Sequence, residues 1–486
     1  MRKQIAFLVG VSLLAPYAPG APAAPAVEFR PTRPTRPEEK TRIEEKREYR
    51  ERLRSLRSDE VRVALDKLAV GSSKLARMLV TRLRATGMKN VTISPLSLQV
   101  ALGMALQAAR GDTAKELMLA LGVDNMTPEE ISLASRAKID EMIKLNQEQI
   151  ELATRNRTPE KATIFAMFNA FYGNPDLVKE FKEDLQRQLI RDFGAEVIIA
   201  PFTDDTVKHI NGKVAETTRD NIKALLEKLE ETHTAVLLNA VYLKASWQQQ
   251  FPLAKTNERG EFHRGPGQSS KEMPLMNHYV TVPHVVSEDG KAQAIALPMW
   301  DRHFVADVVL PEMGESLDTL LDLNPSRLAL ALDNAPEVLV DLTLPRFETR
   351  LSPVNLVETF KSAGIVLPFE IVKSRLPGGT PVLTYPDFGK LAEMLEPGKT
   401  YFAIDQIVHA ARMKVTEVGI EASAATAVVI GLRGTRVLEP VPEIKMTVDH
   451  PFVMTVRGLD NSTYFITFVD DPEALARPES PATPEF

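Results

Sequence analysis

Residues 59–86 carry apolar side chains at helical spacing and predict a first long helix. The positions that repeat three, four or seven residues apart are Val61, Leu65, Leu68, Leu75 and Leu79. Such spacing places them on one face of a helix. Gly87 follows directly, and glycine is the preferred residue just beyond a helix end.

A short strand leading directly into a second helix is predicted next. Residues 91–93 are Val-Thr-Ile, which favours a strand, and Ser94 and Pro95 follow. Serine is a preferred N-cap, and proline is tolerated at the first helical position because its missing N–H has no partner there anyway. We therefore expect the strand to turn into a helix at Ser94.

Two later helix starts have the spacing of capping boxes. Thr113 stands three residues before Glu116, and Thr127 three residues before Glu130. In such a box the threonine and the acidic side chain each bind a free backbone N–H of the first turn. Gly122 lies where the first of these helices should end.

The second half of the chain is rich in predicted strands. Residues 235–243 form a nearly continuous apolar run, typical of a central strand buried on both faces. Further strands are predicted at 304–310 and 338–344 and in a hairpin of 452–456 and 463–469. Helices followed by strands, without an internal repeat, predict one α+β domain over residues 59–472.

The first 26 residues have the layout of a secretory signal. Arg2 and Lys3 precede an apolar run at 5–14, and small residues with Ala-x-Ala spacing follow. A membrane anchor is the alternative, but ten residues reach only about 15 Å as a helix, half a bilayer core. We expect cleavage near Ala24 or Val27, and a secreted or periplasmic protein.

Both ends of the domain are expected to be solvated. Residues 27–58 begin with a repeated Pro-Thr-Arg-Pro and continue with a stretch dense in Glu, Arg and Lys, which predicts an extended linker. A basic tether to a cell surface is an alternative for the same segment. Residues 473–486 are rich in Pro, Glu and Ala and are expected to form a disordered tail.

Composition narrows the classes of function. Of the 486 residues, 44% are hydrophobic and 26% charged, the net charge is −6, and cysteine is absent. These values are typical of a globular protein and give no indication of nucleic-acid binding. The lack of cysteine excludes disulfides and thiol catalysis. No hydrolase or zinc-protease motif occurs, and the eight histidines have no metal-ligand spacing.

Residues 417–433 have an unusual composition. Small residues dominate the first half and β-branched residues the second, with only three charges, at Glu417, Glu421 and Arg433. A buried helix or strand of alanine and valine is one interpretation. The other is an exposed loop able to become a strand, because small side chains can slide between packed strands.

Several separated segments resemble the serpin family. They begin at Asn90, Ala108, Leu237 and Asp449, and include the run from Glu417 to Thr426. The resemblance covers about residues 60–472. It implies an α+β serpin fold with three β-sheets, eight or nine helices and an exposed reactive loop. It also implies irreversible inhibition of a protease by loop cleavage and insertion into the main sheet, by a monomer with no catalytic residue, no cofactor and no metal.

The resemblance assigns roles to residues of the loop. Counted from the hinge, the reactive bond joins Arg433 and Gly434, and arginine implies a trypsin-like serine protease as partner. Arg436 is the competing bait residue, and a papain-like cysteine protease or a non-inhibitory carrier or structural function are alternatives. The hinge residues are Glu417, Gly419, Ile420, Glu421, Ala422, Ser423, Ala424, Ala425 and Thr426.

A second set of residues matches the cluster that lets the serpin sheet open. Its members are Ser94, Ser97, Asn239, His409 and, at the top of the sheet, Trp247. For His409 alone, a structural buried histidine is the alternative. The sequence departs from the family where Asp220, Ala245 and Thr467 replace usual glycines, which puts local turn geometry in doubt but not the mechanism. Residues 372–385 look inserted.

Overall fold

A computed structural model describes residues 27–55, 57–158, 161–265, 268–375, 381–394, 401–420 and 443–475. Within these ranges nine α-helices are found. They are α1 (Pro37–Ser55), α2 (Asp59–Ala85), α3 (Pro95–Ala108), α4 (Gly111–Leu121), α5 (Pro128–Arg155), α6 (Glu183–Phe193), α7 (Asp204–Thr217), α8 (Pro325–Asp333) and α9 (Val357–Ser362). No helix of this described part is long and apolar enough to cross a bilayer.

The strands lie mostly in the second half of the chain, as predicted. The first ten are β1 (Phe29–Pro31), β2 (Val91–Ile93), β3 (Ile164–Gly173), β4 (Val178–Phe181), β5 (Ala195–Ile199), β6 (Ala235–Ser246), β7 (Asn257–Phe262), β8 (Lys271–Ser287), β9 (Ala292–Pro298) and β10 (Phe304–Pro311). The others are β11 (Glu337–Pro345), β12 (Phe347–Asn355), β13 (Val372–Arg375), β14 (Pro381–Thr384), β15 (Ala392–Met394), β16 (Gln406–Val415), β17 (Gly419–Ile420), β18 (Ile444–Thr447), β19 (Phe452–Gly458), β20 (Thr463–Val469) and β21 (Glu473–Ala474).

Three sheets contain 17 of these strands, and β4 with β15 and β13 with β14 form two separate pairs. The main sheet has the order β21-β12-β16-β17-β6-β3-β5. The long strand β8 is shared by the other two, because β7 and β11 pair with its first part and β9 and β1 with its last. Beyond β9 the second sheet continues through β10, β19 and β20 to β2, and β18 follows β11 at the edge of the third. The α+β fold with three sheets is confirmed.

The main sheet is buried on both faces, which explains the unbroken apolar run in its central strand. Every residue of β6 except Lys244 is buried. Alternate residues such as Val241 and Leu243 join the large core under the sheet, whereas Leu238 and Ala240 join a second cluster on the other face. The predicted central position of this strand is confirmed, since β3 pairs on one side and β16 and β17 on the other.

Helix α3 lies in the core between the main and the second sheet, and all of its residues are buried. As predicted, Ser94 caps it, with its hydroxyl accepting from Ser97 N, and Pro95 occupies the first turn. A helix that is apolar all round has no solvent face to offer, so it fits only inside a domain.

One predicted capping box is confirmed and one is wrong. Thr127 and Glu130 form the reciprocal pair at the start of α5. Helix α4, however, begins at Gly111 without a side-chain cap. Thr113 instead accepts from the Asp387 backbone N–H at 2.9 Å, and the Glu116 carboxylate accepts from two backbone N–H groups at 2.7 Å. Distant backbone donors compete for these side chains more successfully than the helix end.

Residues 27–58 and the start of the predicted tail contain regular elements where an extended linker and a disordered tail were predicted, although no described residue of 27–58 is buried. Strand β1 pairs with β8, with Phe29 opposite Ser287, and residues 37–55 form α1. Strand β21 pairs with β12. These pieces have only two or three strand residues each, too few for a periodic pattern, and unpaired edges of β8 and β12 supply the partners. Residues 1–26 lie outside the described residues.

The segment that looked inserted forms a β-hairpin of β13 and β14. Of the glycine replacements, Asp220 has φ of 61°, in the left-handed region that glycine adopts most easily. Ala245 instead packs against the hinge, as described next.

Candidate functional site

Four residues predicted to act together meet beneath the main sheet, and a fifth joins them. Asn239 accepts from the Ser97 hydroxyl at 2.5 Å and from His409 Nδ1 at 2.9 Å, and its amide donates to Asn169 Oδ1 at 2.7 Å. The Ser94 backbone N–H donates to His409 Nε2 at 3.3 Å. These five residues are called the polar cluster below, and all are buried.

The network fixes the protonation of His409. Because the Ser94 N–H donates to Nε2, that nitrogen must be unprotonated, and Nδ1 carries the proton that goes to Asn239. Burial lowers the pKa of His409 to about 3. The imidazole is therefore neutral at physiological pH, and it joins β16 to β6 without a charge.

Asn169 was missed by the sequence analysis. It lies directly opposite Asn239 in the pairing of β3 with β6. A signal was available, because an asparagine within an otherwise apolar strand needs a buried partner. Without the register of the two strands, however, that partner cannot be identified.

The start of the hinge is already part of the main sheet. Strand β17 forms a tight hairpin with β16, in which Thr416 N donates to Gly419 O at 2.9 Å. It also pairs with β6, so that Ile420 lies between Val415 and Ala245. The Ile420 side chain is 3% exposed and belongs to the main core.

Gly419 is required by this close approach. A Cβ atom there would lie 2.1 Å from the carbonyl oxygen of Ala245 and 2.6 Å from the Ser246 Cα. Both are backbone atoms of β6, which cannot move aside without breaking the strand pairing. Any other residue at position 419 would therefore push the hinge out of the sheet.

Trp247 lies against the hinge rather than in the polar cluster. Its backbone N–H donates to Val418 O at 2.8 Å, and its indole Nε1 donates to Thr416 O at 2.9 Å. Phe251 N donates to the carbonyl of Glu417 at 2.9 Å. The backbone of the hinge turn is thus held by the segment that follows β6.

The Glu417 side chain is held by a buried arginine that the sequence did not indicate. Arg346, which is 1% exposed, donates to Glu417 Oε1 at 2.8 Å and to Glu258 Oε2 at 2.5 Å. Thr256 Oγ1 donates to the same Glu417 oxygen at 2.8 Å. Glu417 Oε2 has no hydrogen-bond partner within the described part of the chain. An arginine that follows a strand carries no local signal of such a contact.

The remaining predicted loop residues lie outside the described residues. They are Glu421, Ala422, Ser423, Ala424, Ala425, Thr426, Arg433, Gly434 and Arg436. The described chain resumes at Glu443, just before β18. Among the described residues no group of three or more His, Cys, Asp or Glu is placed to hold a metal ion.

Comparison with known proteins gives consistent matches over most of the chain. The family model described as "Serpin (serine protease inhibitor)" matches residues 71–472. Iripin-8 of Ixodes ricinus is 28% identical over 430 residues, which cover 87% of this chain and 97% of the relative. Serpin B4 of Homo sapiens is 26% identical over 416 residues, which cover 83% of this chain and 98% of the relative.

Solved structures of the same fold are also similar. The thermophilic serpin tengpin in the native state superposes with a TM-score of 0.67 at 22% identity, covering 83% of this chain and 94% of that one. Thyroxine-binding globulin in complex with thyroxine gives a TM-score of 0.64 at 20% identity, covering 84% and 100%.

Proposed function

Since the chain belongs to the serpin family, we propose that it is an irreversible suicide-substrate inhibitor of a trypsin-like serine protease. The protease serine attacks the carbonyl carbon of Arg433, an ester forms, and the Arg433–Gly434 peptide bond breaks. The amine of Gly434 takes up the proton and leaves. The loop then inserts between β6 and β16 before water hydrolyses the ester, which traps the enzyme.

The observation that carries this proposal is the register of β17. Ile420 opposes Ala245 on β6 and Val415 on β16, in both cases antiparallel. Continuing the two registers brings position 426 opposite Asn239 and opposite His409, which are themselves paired with each other. The two extrapolations therefore meet at one place, as they must if a single strand is to fill the space between β6 and β16.

The side chains fit that register. Positions 420, 422 and 424 would face the large core, and residues 422 and 424 are alanines small enough to enter it. On the other face, Glu421 would come between Lys244 and Lys414, a favourable arrangement of charge. Glu421, the charged hinge residue that would insert, would therefore face away from the large core.

Insertion replaces one ladder by two. At present β6 and β16 pair directly only over five residues, Gln406–Ala410 with Val236–Ala240. Fourteen residues from 420 to 433 span about 46 Å as a strand. A central strand of that length makes about a dozen ladder hydrogen bonds at a net value of about 1 kcal/mol each. That sum is comparable with the whole stability of a domain, about 5–15 kcal/mol.

The arginine at position 433 supports a trypsin-like target, because the specificity pocket of such proteases holds a carboxylate. The experiment is a denaturing gel after mixing the protein with trypsin. A covalent inhibitor leaves a band at the summed mass of enzyme and inhibitor, whereas a mere substrate is only cut. Chymotrypsin is the control for specificity, and papain tests the cysteine-protease alternative. Absence of the summed band with trypsin would refute the proposal.

A carrier function has one observation in its favour. A cavity of about 840 Å³ lies between α1 and the surface formed by β8, β9 and β10, with Ile43, Phe304 and Arg457 among its lining residues. This volume lies within the usual range for small-molecule sites. Thyroxine-binding globulin shows that the fold can bind a small molecule. The same gel separates the two functions, because a carrier would be cut without forming a complex.

We also propose export, on the strength of the charged, apolar and small-residue pattern of residues 1–26. Mass spectrometry of the protein purified from its producing cells tests this, since a mature chain should begin near Ala24 or Val27.

A further inference from the structure

The segment before α1 is fixed to the body of the protein at several points. Strand β1 pairs with β8 over residues 285–287, on the side where β11 pairs with residues 275–283. It therefore occupies the edge of β8 that β11 leaves free. Residues 27–33, called the arm below, include this strand and the turn that follows it.

Side chains on both sides of the strand hold the arm in register. Glu28 forms an ion pair with Arg327 on α8, and Thr32 contacts the His284 ring on β8. Phe29 packs against the main core. The last residue of the arm, Arg33, therefore reaches its partners from a fixed point.

Arg33 reaches across the beginning of β11. Its Nη2 donates to the carbonyl oxygen of Glu337 at 3.1 Å, and its Nε donates to Glu443 Oε2 at 3.1 Å. Two further bonds, of 2.6 and 2.8 Å, join the guanidinium to the Glu39 carboxylate in a bidentate pair. This arginine lowers the pKa of Glu39 to about 2. The bidentate contact with Glu39 thus fixes the orientation of the Arg33 guanidinium, whose Nε faces Glu443.

Glu443 is the first described residue after the loop. Its backbone N–H donates to Leu339 O at 2.9 Å, and β18 follows in parallel pairing with β11. Glu443 follows Arg433 by ten positions, which span about 35 Å when the chain is fully extended. The position of Glu443 therefore limits where the bait residue can lie.

We propose that Arg33 is a positioning residue for the reactive loop, which holds the C-terminal end of the loop through Glu443. This inference rests on the proposed function, in which residues 421–442 present Arg433 to the protease. The hinge holds one end of the loop in the main sheet. At the other end β18 pairs with β11, and Arg33 adds a side-chain contact to Glu443 just before that pairing begins. Loss of the second contact would widen the range of loop conformations and make productive docking rarer.

Two measurements on the full chain test the proposal. The first is hydrogen exchange of the backbone amides of β18. The second is the rate at which trypsin consumes the intact chain, which counts both complex and cleaved product and so does not depend on inhibition. We expect Arg33→Ala to speed the exchange and to lower kcat/KM for loop attack, through KM, each by about two- to fivefold, as befits a half-exposed ion pair.

Controls separate this role from general stabilisation. Arg30→Ala removes the same charge from an exposed position of the arm and should change neither measurement. Arg33→Lys should restore part of the effect. Glu443→Ala should reproduce it, and the double variant should be no worse than either single one, because the two residues act through one contact.

The outcomes are distinct. Unchanged exchange in Arg33→Ala, or changed exchange with an unchanged or faster rate of loop attack, overturns the positioning role. Additive effects of Arg33→Ala and Glu443→Ala also overturn it. A wild-type chain that trypsin cuts without a covalent band overturns the proposed function instead, while the rate of cutting still decides whether Arg33 positions the loop.

Discussion

If the chain inhibits a protease as proposed, replacing Ile420 by arginine should convert it into a substrate. The Ile420 side chain is 3% exposed and lies between Val415 and Ala245, where all three residues face the main core. None of these neighbours offers a negative charge. An arginine at this position must therefore either bury an unpaired charge or keep residues 419 and 420 out of the sheet.

The magnitude follows from what the expelled hinge loses. Burial of an isoleucine side chain contributes about 1.5–3 kcal/mol. The hydrogen bonds of Thr416 N to Gly419 O and of Trp247 N to Val418 O add about 1 kcal/mol each if they are lost. The first step of insertion thus becomes harder by about 1.5–5 kcal/mol, depending on whether the two hydrogen bonds are lost. Since each 1.4 kcal/mol on a barrier is a tenfold change in rate, insertion should slow by about 10- to 4000-fold.

The reason for the changed outcome is a competition between two steps. In the proposed mechanism, the ester formed at Arg433 is either trapped by insertion or hydrolysed by the protease. Slower insertion favours hydrolysis, so the Ile420→Arg chain should be cut at the normal rate but release active trypsin. The number of inhibitor molecules consumed per trypsin inactivated should rise by at least tenfold, and the covalent band should fade.

Ile420→Val is the matched control, because it keeps a β-branched apolar side chain and removes one methylene, at a cost of about 0.5–1.5 kcal/mol. Its stoichiometry should stay close to that of the wild type. If Ile420→Arg also keeps a low stoichiometry and a strong covalent band, residue 420 does not enter the sheet early, and the assignment of the hinge is wrong.

Four further outcomes follow from the same geometry. Arg433→Ala should slow inhibition of trypsin at least 100-fold, whereas Arg436→Ala should slow it less than threefold. The C-terminal peptide released by cleavage should begin at Gly434. A peptide that begins at residue 437 would show that trypsin cleaves after Arg436 instead. Cleavage within the loop should raise the melting temperature, whereas an unchanged or lower one would contradict metastability. Arg346→Ala should lower the free energy of unfolding by about 3–5 kcal/mol in a urea titration, since Glu417 would stay buried without its partner. Arg346→Lys keeps the positive charge and should lower this free energy by less. Burial holds the pKa of His409 at about 3, below the unfolded value of about 6.5, so the folded state takes up fewer protons than the unfolded state. The free energy of unfolding should therefore fall as the pH drops from 6.5 towards 3. An equally steep fall in His409→Gln would exclude this histidine as the cause.

Much of the fold could be predicted because its signals are local. Helix α3 follows from the N-cap at Ser94 and the proline after it, and the central strand follows from the apolar run that became β6. The register that unites Asn239 with His409 could not be read from periodicity. It depends on which strands are neighbours, and only the resemblance to a family supplied that information.

What escaped prediction depends on contacts between residues far apart in the chain. Arg346 and Glu417 are separated by 71 positions, and Arg33 and Glu443 by 410. Thr113 shows the opposite error, because its local spacing favoured a helix cap whereas its hydroxyl serves the Asp387 backbone. Which partner a polar side chain binds depends on the three-dimensional positions of distant residues, and a local sequence pattern does not contain that information.

In the proposed mechanism, the polar cluster would hold β6 and β16 together until the loop inserts. Position 426 of an inserting strand would arrive opposite Asn239 and His409, so insertion beyond residue 424 must part these two side chains. Breaking the buried hydrogen bond between them leaves its donor and acceptor without a partner, because no water reaches them. This costs about 1–3 kcal/mol until a new partner arrives. An apolar contact at the same place would part gradually, residue by residue. A hydrogen bond is lost once its two atoms separate by a fraction of an ångström. The hydroxyl of Thr426 could then accept from His409 Nδ1 and donate to Asn239 Oδ1. If the loop inserts as proposed, these exchanges would let the sheet stay closed before cleavage and still open fully afterwards.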